Sequence, residues 1–312
     1  MKVQYKKMKY FALFIGVLFA AALFFTQQTY AAANSMTITE RTGLEVQNYP
    51  VQIGRPFAKG EIVNFPRAII DGTPVLTQAD VKTRWPDGSV RHAILSFYIP
   101  TFAAGSSVSV TFENQPDGNN TGFETAEKML SGAYDFDAIM EFTKGAVKKS
   151  SAREMLEARA FSYWTKGSVA TSIILADHSA ARVFDIGFDA NRSIRPIYHA
   201  TFWPAIGKVR IRFIGEIANT EALQDETYAL SLTIGAVNPQ TVYTKPAFTH
   251  HGRSRWTKVF WLGGAPGNIA INHNLAYLAS TGLLPNYDTT KVIPPSVALS
   301  RAAAWDRAAK DL

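Results

Sequence analysis

Residues 84–95, RWPDGSVRHAIL, hold an Asp-Gly pair between two short segments of β character. Asp87-Gly88 at the tip of a hairpin indicates a two-residue type I′ turn, because both central positions of that turn need a positive φ. Further turn signals stand at residues 72–74 and 104–105. Turns about ten residues apart are typical of a small barrel or sandwich. The sequence therefore predicts an all-β unit over residues 40–115.

The amino terminus carries the features of a secretory signal peptide. Four lysines within residues 2–9 precede an apolar run over residues 10–25, and small residues follow at 31–33. An apolar run of that length is short for a membrane span, and the small residues offer a cleavage site. We therefore expect residues 1–33 to be removed. The mature chain should be secreted or reside in the periplasm or cell envelope, with no membrane association after cleavage.

Composition narrows the classes of partner and cofactor. The chain has 32 lysines and arginines and 25 aspartates and glutamates. Removing the four lysines of residues 1–33 leaves 28 basic and 25 acidic residues, so the net charge of the mature chain is near +3. No block of like charge remains outside the signal, which argues against a nucleic-acid partner. The chain has no cysteine, which excludes disulfides and thiolate metal sites. No P-loop, G-x-G-x-x-G or H-E-x-x-H motif is present, and we expect neither a cofactor nor a metal.

Two further regions follow the first unit. The polar run QPDGNNTG, residues 115–122, marks a boundary, and residues 116–160 are predicted to form a partly helical connector. Ser151 followed by Glu154 fits a capping box, which predicts that a helix begins there.

From residue 161 to residue 262, five segments of β character predict a β-sandwich. Basic and apolar residues alternate in KVRIRF, residues 208–213. Val209, Ile211 and Phe213 should therefore face a core, and the three basic residues should face water or a partner.

The last fifty residues, 263–312, are predicted to be helical. Ile271, Leu275 and Leu278 are spaced for one face of a helix that ends at Gly282, and a second helix is expected after the prolines at 294–295. Two helices after two β units suggest a helical domain that is truncated in this chain. The predicted fold class is mainly β: a barrel, a sandwich and a short C-terminal helical segment.

Two segments of the first unit resemble a known family. GRPFAKGEI, residues 54–62, and RWPDGSVRHAIL, residues 84–95, are similar to the N-terminal barrel of the exo-rhamnogalacturonan lyase (YetA-like) family. The resemblance implies a RIFT-type β-barrel, a β-sandwich and then an α/α toroid, most of which would lie beyond residue 312. It also implies a secreted protein directed at pectin, which the family cleaves by β-elimination. One departure is His92, which stands where we would expect a large aromatic residue.

FTHHGRSRWTKVFWLGGAPG, residues 248–267, concentrates basic and aromatic residues. β-Elimination from a uronic acid needs a cation to neutralise the carboxylate and a base to remove the neighbouring proton. The predicted substrate-binding residues are Arg253, Arg255, Lys258 and Trp256. The predicted catalytic residues are His251, His273 and Tyr277, with His250 as a further candidate base.

A purely structural role is the alternative for every one of these residues. The aromatic side chains could fill a domain junction, and the arginines could pair with acids such as Glu216 or Asp225. His250 and His251 would point to opposite faces of a strand, which argues against joint metal binding. Four tryptophans could stack on sugar rings, although large aromatics are more often part of the core; they are Trp85, Trp164, Trp203 and Trp256.

Three classes of function remain. The chain could be a secreted polysaccharide lyase or part of one, with most of its catalytic domain missing. It could be a non-catalytic pair of β modules that binds an acidic, pectin-like polysaccharide. It could also be a cell-envelope interaction protein with no role in sugar binding.

Overall fold

A computed structural model describes residues 33–217 and 225–282 of the chain. Within them, seventeen strands form four antiparallel sheets, and three short helices lie between or after them. The mainly β fold class is confirmed. No helix in this described part is long and apolar enough to cross a membrane. The predicted signal peptide, except for Ala33, and the predicted helix after residue 294 lie outside the described residues.

The first unit is built from two sheets around one apolar core. A five-stranded sheet has the order β17-β1-β7-β3-β4, and a three-stranded sheet has the order β2-β6-β5. Their strands are β1 (Ser35–Glu40), β2 (Val46–Pro56), β3 (Phe65–Ile70), β4 (Thr73–Pro74), β5 (Thr77–Arg84), β6 (Val90–Phe102), β7 (Ser107–Gln115) and β17 (Ile269–His273). The two sheets bury Ile38, Leu95 and Phe97 completely, as the core of a barrel-like unit requires.

The hairpin predicted from residues 84–95 is present, but its turn is of another type. Trp85 N donates to Ser89 O at 2.8 Å and Gly88 N donates to Trp85 O at 2.9 Å, so the loop has three residues. Gly88 has a φ of 85°, whereas Asp87 does not have a positive φ. The reason is Pro86, whose ring fixes a negative φ and so selects a type I turn followed by a left-handed glycine.

The type I′ pattern occurs instead at the neighbouring Asp-Gly pair. Asp71 has a φ of 46° and Gly72 a φ of 83°, and together they join β3 to β4 where Ile70 is paired with Thr73. Both central residues therefore adopt the left-handed conformation that this turn requires.

The second unit is a sandwich of two antiparallel sheets. One has the order β10-β11-β12-β13-β16 and the other β15-β14-β8-β9. Their strands are β8 (Ala138–Lys144), β9 (Ala146–Ser151), β10 (Phe161–Thr165), β11 (Thr171–Leu175), β12 (Ile194–Trp203), β13 (Lys208–Ile217), β14 (Glu226–Ile234), β15 (Gln240–His250) and β16 (Arg255–Leu262).

The sandwich begins earlier in the chain than residue 161. β8 and β9 lie within the predicted connector, between helix α1 (Ala126–Leu130) and helix α2 (Ala152–Glu157). Ala138, Met140 and Phe142 on β8 alternate into the core, a period-two pattern that identifies a strand. The predicted helix start is confirmed, because Ser151 Oγ accepts a hydrogen bond from Glu154 N at 3.1 Å.

The alternation on β13 is also as predicted. Val209, Ile211 and Phe213 are completely buried between the two sheets, and the basic residues between them lie on the other face. One of the five segments of β character expected after residue 161, ARVFDIGF at residues 181–188, instead forms a loop with an isolated bridge between Ile186 and Ile194.

The chain then returns to the first unit, which the predicted helical segment did not anticipate. β17 pairs with β1, so Ile271 is opposite Ile38 and His273 is opposite Met36. Only α3 (Leu275–Ser280) is helical in residues 263–282, and Asn274 caps it by accepting from Tyr277 N. The Ile-x-Ile spacing at 269–271 suits one face of a strand, whereas the helical prediction relied on the spacing of Ile271, Leu275 and Leu278, of which Ile271 belongs to β17.

Candidate functional site in the cleft between the two units

The predicted residues His251, Arg253 and Arg255 lie at the tip of the β15–β16 hairpin. His251 Nδ1 is 2.8 Å from Asp225 Oδ2, and Asp225 also accepts from Gly252 N at 2.9 Å. The backbone hydrogen bond from Gly252, followed by the contact with His251, lowers the pKa of Asp225. Arg255 Nη2 is 2.8 Å from Glu216 Oε2. Two charges of the tip are therefore already paired: Glu216 pairs with Arg255, as that alternative expects, whereas Asp225 pairs with His251 rather than with an arginine.

Trp256 and Lys258 lie on the opposite face of β16 from Arg255, because side chains alternate along a strand. Trp256 is buried in the sandwich core and donates its Nε1–H to Tyr228 Oη at 3.1 Å. Lys258 Nζ lies 4.9 Å from the centre of the Tyr243 ring. Trp256 thus occupies a core position. Arg255 and Lys258 lie on opposite faces of β16, so they cannot contact the same ligand.

His250 is buried as well and does not share a surface with His251. Its Nδ1 is 2.9 Å from Tyr228 Oη, and its Nε2 is 3.1 Å from Ser254 O. Burial lowers its pKa. In the described residues, no group of three or more histidine or acidic side chains could hold a metal ion.

His273 and Tyr277 belong to a separate cluster inside the first unit. Both pack against the fully buried Arg55, whose guanidinium lies 3.4 Å from His273 Nδ1 and 5.1 Å from the centre of the Tyr277 ring. The Tyr277 hydroxyl donates to Glu61, and burial followed by that carboxylate raises the pKa of Tyr277. Asn34 accepts two hydrogen bonds from Arg55. Of the predicted catalytic residues, His273 and Tyr277 therefore do not converge with the predicted arginines, whereas His251 shares the hairpin tip with Arg253 and Arg255.

A cavity with a volume of about 750 Å³ lies between the two units. Three of its walls are edge strands: β2 and β17 of the first unit, and β16 of the second. The floor on the sandwich side is β13, and the loop after β16 borders the cavity at Ala265 and Gly267. The Tyr49 hydroxyl donates to Gly267 O at 2.8 Å and so ties β2 to that loop. This volume is within the range of ligand pockets.

Arg210 and Arg212 are the basic residues of the cavity. They lie two residues apart on β13 and on the same face, about 7 Å from each other along the strand. The side chain of neither arginine forms a hydrogen bond or an ion pair with another residue of the described part of the chain. Burial, followed by the neighbouring charge of Arg212, lowers the pKa of Arg210. Two partly buried guanidinium groups without an acidic partner form a site for an anion.

Tryptophan side chains border the same space. Trp164 is 48% exposed, and the Lys82 ammonium lies 4.3 Å from the centre of its ring. Trp261 is half-buried, opposite Arg210 on the neighbouring strand. Trp203 is buried at the inner end, packed edge-on against Tyr98. A large exposed aromatic ring in a concave site is a surface on which an apolar ligand face can stack.

A smaller cavity of about 150 Å³ shares Arg210, Arg212 and Trp164 with the first, and His199 lines it. His199 is directly opposite Arg212 in the β12–β13 register. Burial lowers the pKa of His199, and the positive charges of Arg212, Arg255 and Arg210 lower it further. The imidazole is therefore mostly neutral at neutral pH.

A network of amide and hydroxyl groups holds the two units together beside the cavities. Gln52 Nε2 donates to Ser172 Oγ at 3.0 Å and to Ser96 Oγ at 3.1 Å, and Ser172 and Thr201 are joined by a 3.0 Å hydrogen bond. Deeper in the joint, Ala170 N donates to the buried Gln78 at 2.9 Å. Directional bonds of this kind fix the relative positions of the cleft walls.

Sequence analysis named Trp164 and Trp203 as aromatics that could stack on sugar rings, but it did not select the arginines of the cleft as a site. The alternation in residues 208–213 predicted that the basic residues would face water or a partner, and they face the cleft. No pattern along the chain could show that β2 and β17, more than two hundred residues apart, form the opposite wall.

Comparison with known proteins does not assign the chain. No family model matches the sequence, and no curated protein matches it.

Proposed function

We propose that the mature chain is an exported binding protein for an acidic saccharide, which it holds in the cleft between its two units. The observation that carries this proposal is the pair Arg210 and Arg212. These arginines have no protein partner in the described chain, and they lie beside tryptophans in a cavity of about 750 Å³.

The chemistry of the walls suits a sugar with a carboxylate. The planar guanidinium of arginine donates two parallel hydrogen bonds to a carboxylate, and the indole of Trp164 offers a flat apolar surface for a sugar ring. Ser172 and Thr201 line the smaller cavity with hydroxyl groups, and Gln52 adds an amide. A site that combines charge, aromatic surface and neutral hydrogen-bonding groups matches uronic acids better than inorganic anions.

Binding is favoured over hydrolysis. Glycoside hydrolases usually employ two carboxylic acids on either side of the scissile bond. No aspartate or glutamate is among the residues that line either cavity in the described chain.

β-Elimination is the second candidate, and His199 is the observation that favours it. A neutral imidazole next to unpaired arginines could remove the proton from the carbon next to a bound carboxylate. The glycosidic C–O bond would then break, a C=C bond would form, and the leaving oxygen would take up a proton. The resemblance of residues 54–62 and 84–95 to exo-rhamnogalacturonan lyases agrees with such a substrate and with export.

The test is titration calorimetry of the mature protein with oligogalacturonate, and with an uncharged oligosaccharide for comparison. We expect binding of the acidic ligand only. Arg210→Gln and Arg212→Gln should each weaken it about tenfold or more, since each removes a charged hydrogen-bonding group. Arg67→Gln is the control, because this arginine is already paired with Glu113 and lines neither cavity.

Equal binding by all three variants, or no binding by the intact protein, would refute the proposal. Ultraviolet absorbance of an unsaturated uronate product in the same mixtures distinguishes elimination from binding alone.

A further inference from the structure

The two cavities form one continuous site with three potential cations along it. They share Gln52, Trp164, Thr201, Arg210 and Arg212, so the arginines lie at the boundary between them. His199 adds a third basic group at the far side of the smaller cavity. Together the cavities are longer than the space that a single carboxylate fills.

The arrangement of these groups is unfavourable without a ligand. Like charges directly opposite each other on neighbouring strands destabilise a sheet, and a protonated His199 would stand opposite Arg212. Ile174 faces His199 from β11 and carries no charge. From β13 and β16, the positive charges of Arg212, Arg255 and Arg210 lower the pKa of His199, and the acid Glu216 on β13 is paired with Arg255. One carboxylate can satisfy only one of the two unpaired guanidinium groups in a bidentate manner.

We propose that the small cavity around His199 is a second acidic subsite, so that the ligand carries at least two acidic groups. Arg210 holds one of them in the large cavity, and Arg212 together with protonated His199 holds the other in the small cavity. This inference rests on the proposed saccharide-binding function and deepens it, because it selects oligouronates over single uronic acids.

The second subsite also makes the affinity depend on pH. Binding of an anion next to His199 favours the protonated imidazole, so the complex takes up a proton that the free protein does not hold. The gain in ligand affinity from protonated His199 is fully present below the pKa of His199 in the free protein. That pKa lies below the usual value of a histidine. It is lost as the pH rises through the higher pKa of His199 in the complex. Carboxylates of uronic acids remain ionised above about pH 5.

The experiment compares galacturonate with di- and trigalacturonate as ligands of the intact protein by calorimetry at pH 5.5 and pH 7.5. We expect at least one of the two oligomers to bind on the order of tenfold more tightly than the monomer, and more tightly at the lower pH. Two buffers with different ionisation enthalpies measure the proton uptake directly.

His199→Gln keeps a hydrogen-bonding side chain but cannot become charged. It should abolish the proton uptake and the pH dependence, and it should reduce the advantage in affinity that the oligomers have over the monomer. His199→Asn provides a second neutral side chain, and the melting temperature of both variants shows whether the sheet is intact.

The outcomes separate the two proposals. Equal affinity for the monomer and both oligomers, or proton uptake that persists without His199, overturns the second subsite and leaves the first proposal standing. Failure of all three acidic ligands to bind overturns the saccharide-binding function itself.

Discussion

Trp256 and Trp164 lie in the same unit and should respond in opposite ways to truncation. The indole of Trp256 is 6% exposed, packs against Phe248, lies over Gly215 and donates to Tyr228. Trp164 is 48% exposed and borders the cleft. If Trp256 is core and Trp164 is a ligand platform, Trp256→Ala should reduce stability and Trp164→Ala should reduce binding.

The expected loss for Trp256→Ala follows from its burial. Removing a large buried aromatic side chain costs about 3–5 kcal/mol, because transferred surface and packing contacts are lost and a cavity remains. The Tyr228 hydroxyl also loses the hydrogen bond that Trp256 donates, and the free-energy cost of that loss is included in this range. For a folded protein of this size, such a loss lowers the melting temperature by roughly 6–20 °C.

Thermal unfolding followed by circular dichroism measures the first effect, and calorimetric titration with oligogalacturonate measures the second. For Trp164→Ala we expect a shift of the melting temperature of no more than about 3 °C, because surface substitutions rarely exceed about 1 kcal/mol. Its affinity for the ligand should fall. The reasoning would be refuted if Trp256→Ala melted like the unaltered protein but bound poorly, which would make Trp256 the ligand platform.

Three further predictions concern the turn, an anchoring carboxylate and the charged hairpin tip. Gly88→Val should cost about 1–2 kcal/mol in unfolding experiments, because a β-branched residue resists the φ of 85° although no atom crowds that position. Hydrogen bonds from the Thr42 side chain and then from Gly105 N lower the pKa of Glu40 to about 2. The stability of the fold should therefore fall as the pH drops from about 4.5 towards 2. Glu40→Gln should make the melting temperature depend less on pH in that range. Arg255→Gln should change the melting temperature by less than about 3 °C, since an exposed ion pair contributes at most about 1 kcal/mol.

The sequence predicted local structure where a single strong signal dominates. The alternation at Val209, Ile211 and Phe213 sets which face of β13 is buried, and Ser151 starts α2, because both depend on neighbouring residues alone. Ile271 fits a strand with Ile269 and a helix with Leu275 and Leu278, and the pairing of Ile271 with Ile38 shows that it belongs to a strand. That pairing joins residues far apart in the chain, and the spacing of apolar residues along a segment does not predict which distant segment it pairs with.

The candidate site was harder to predict than the fold for the same reason. Residue type drew attention to residues 248–267, where basic and aromatic side chains are dense in sequence. Density in sequence does not imply a shared surface, because alternation along β16 separates Arg255 from Trp256 and Lys258. Arg210 and Arg212 are less conspicuous in sequence, yet the fold leaves them without an acidic partner in its described part.

One strand connects the stability of this protein with its proposed function. The inward side chains of β13 fill the sandwich core, and its outward side chains carry the positive charge of the cleft. Charges placed there without partners weaken the folded state, so the surrounding structure must hold them in position. The hydrogen bonds of Gln52 with Ser96 and Ser172 have that effect, because they fix the opposite wall without neutralising either arginine. Core substitutions on β13 should therefore change melting temperature, whereas substitutions on its outward face should change ligand affinity.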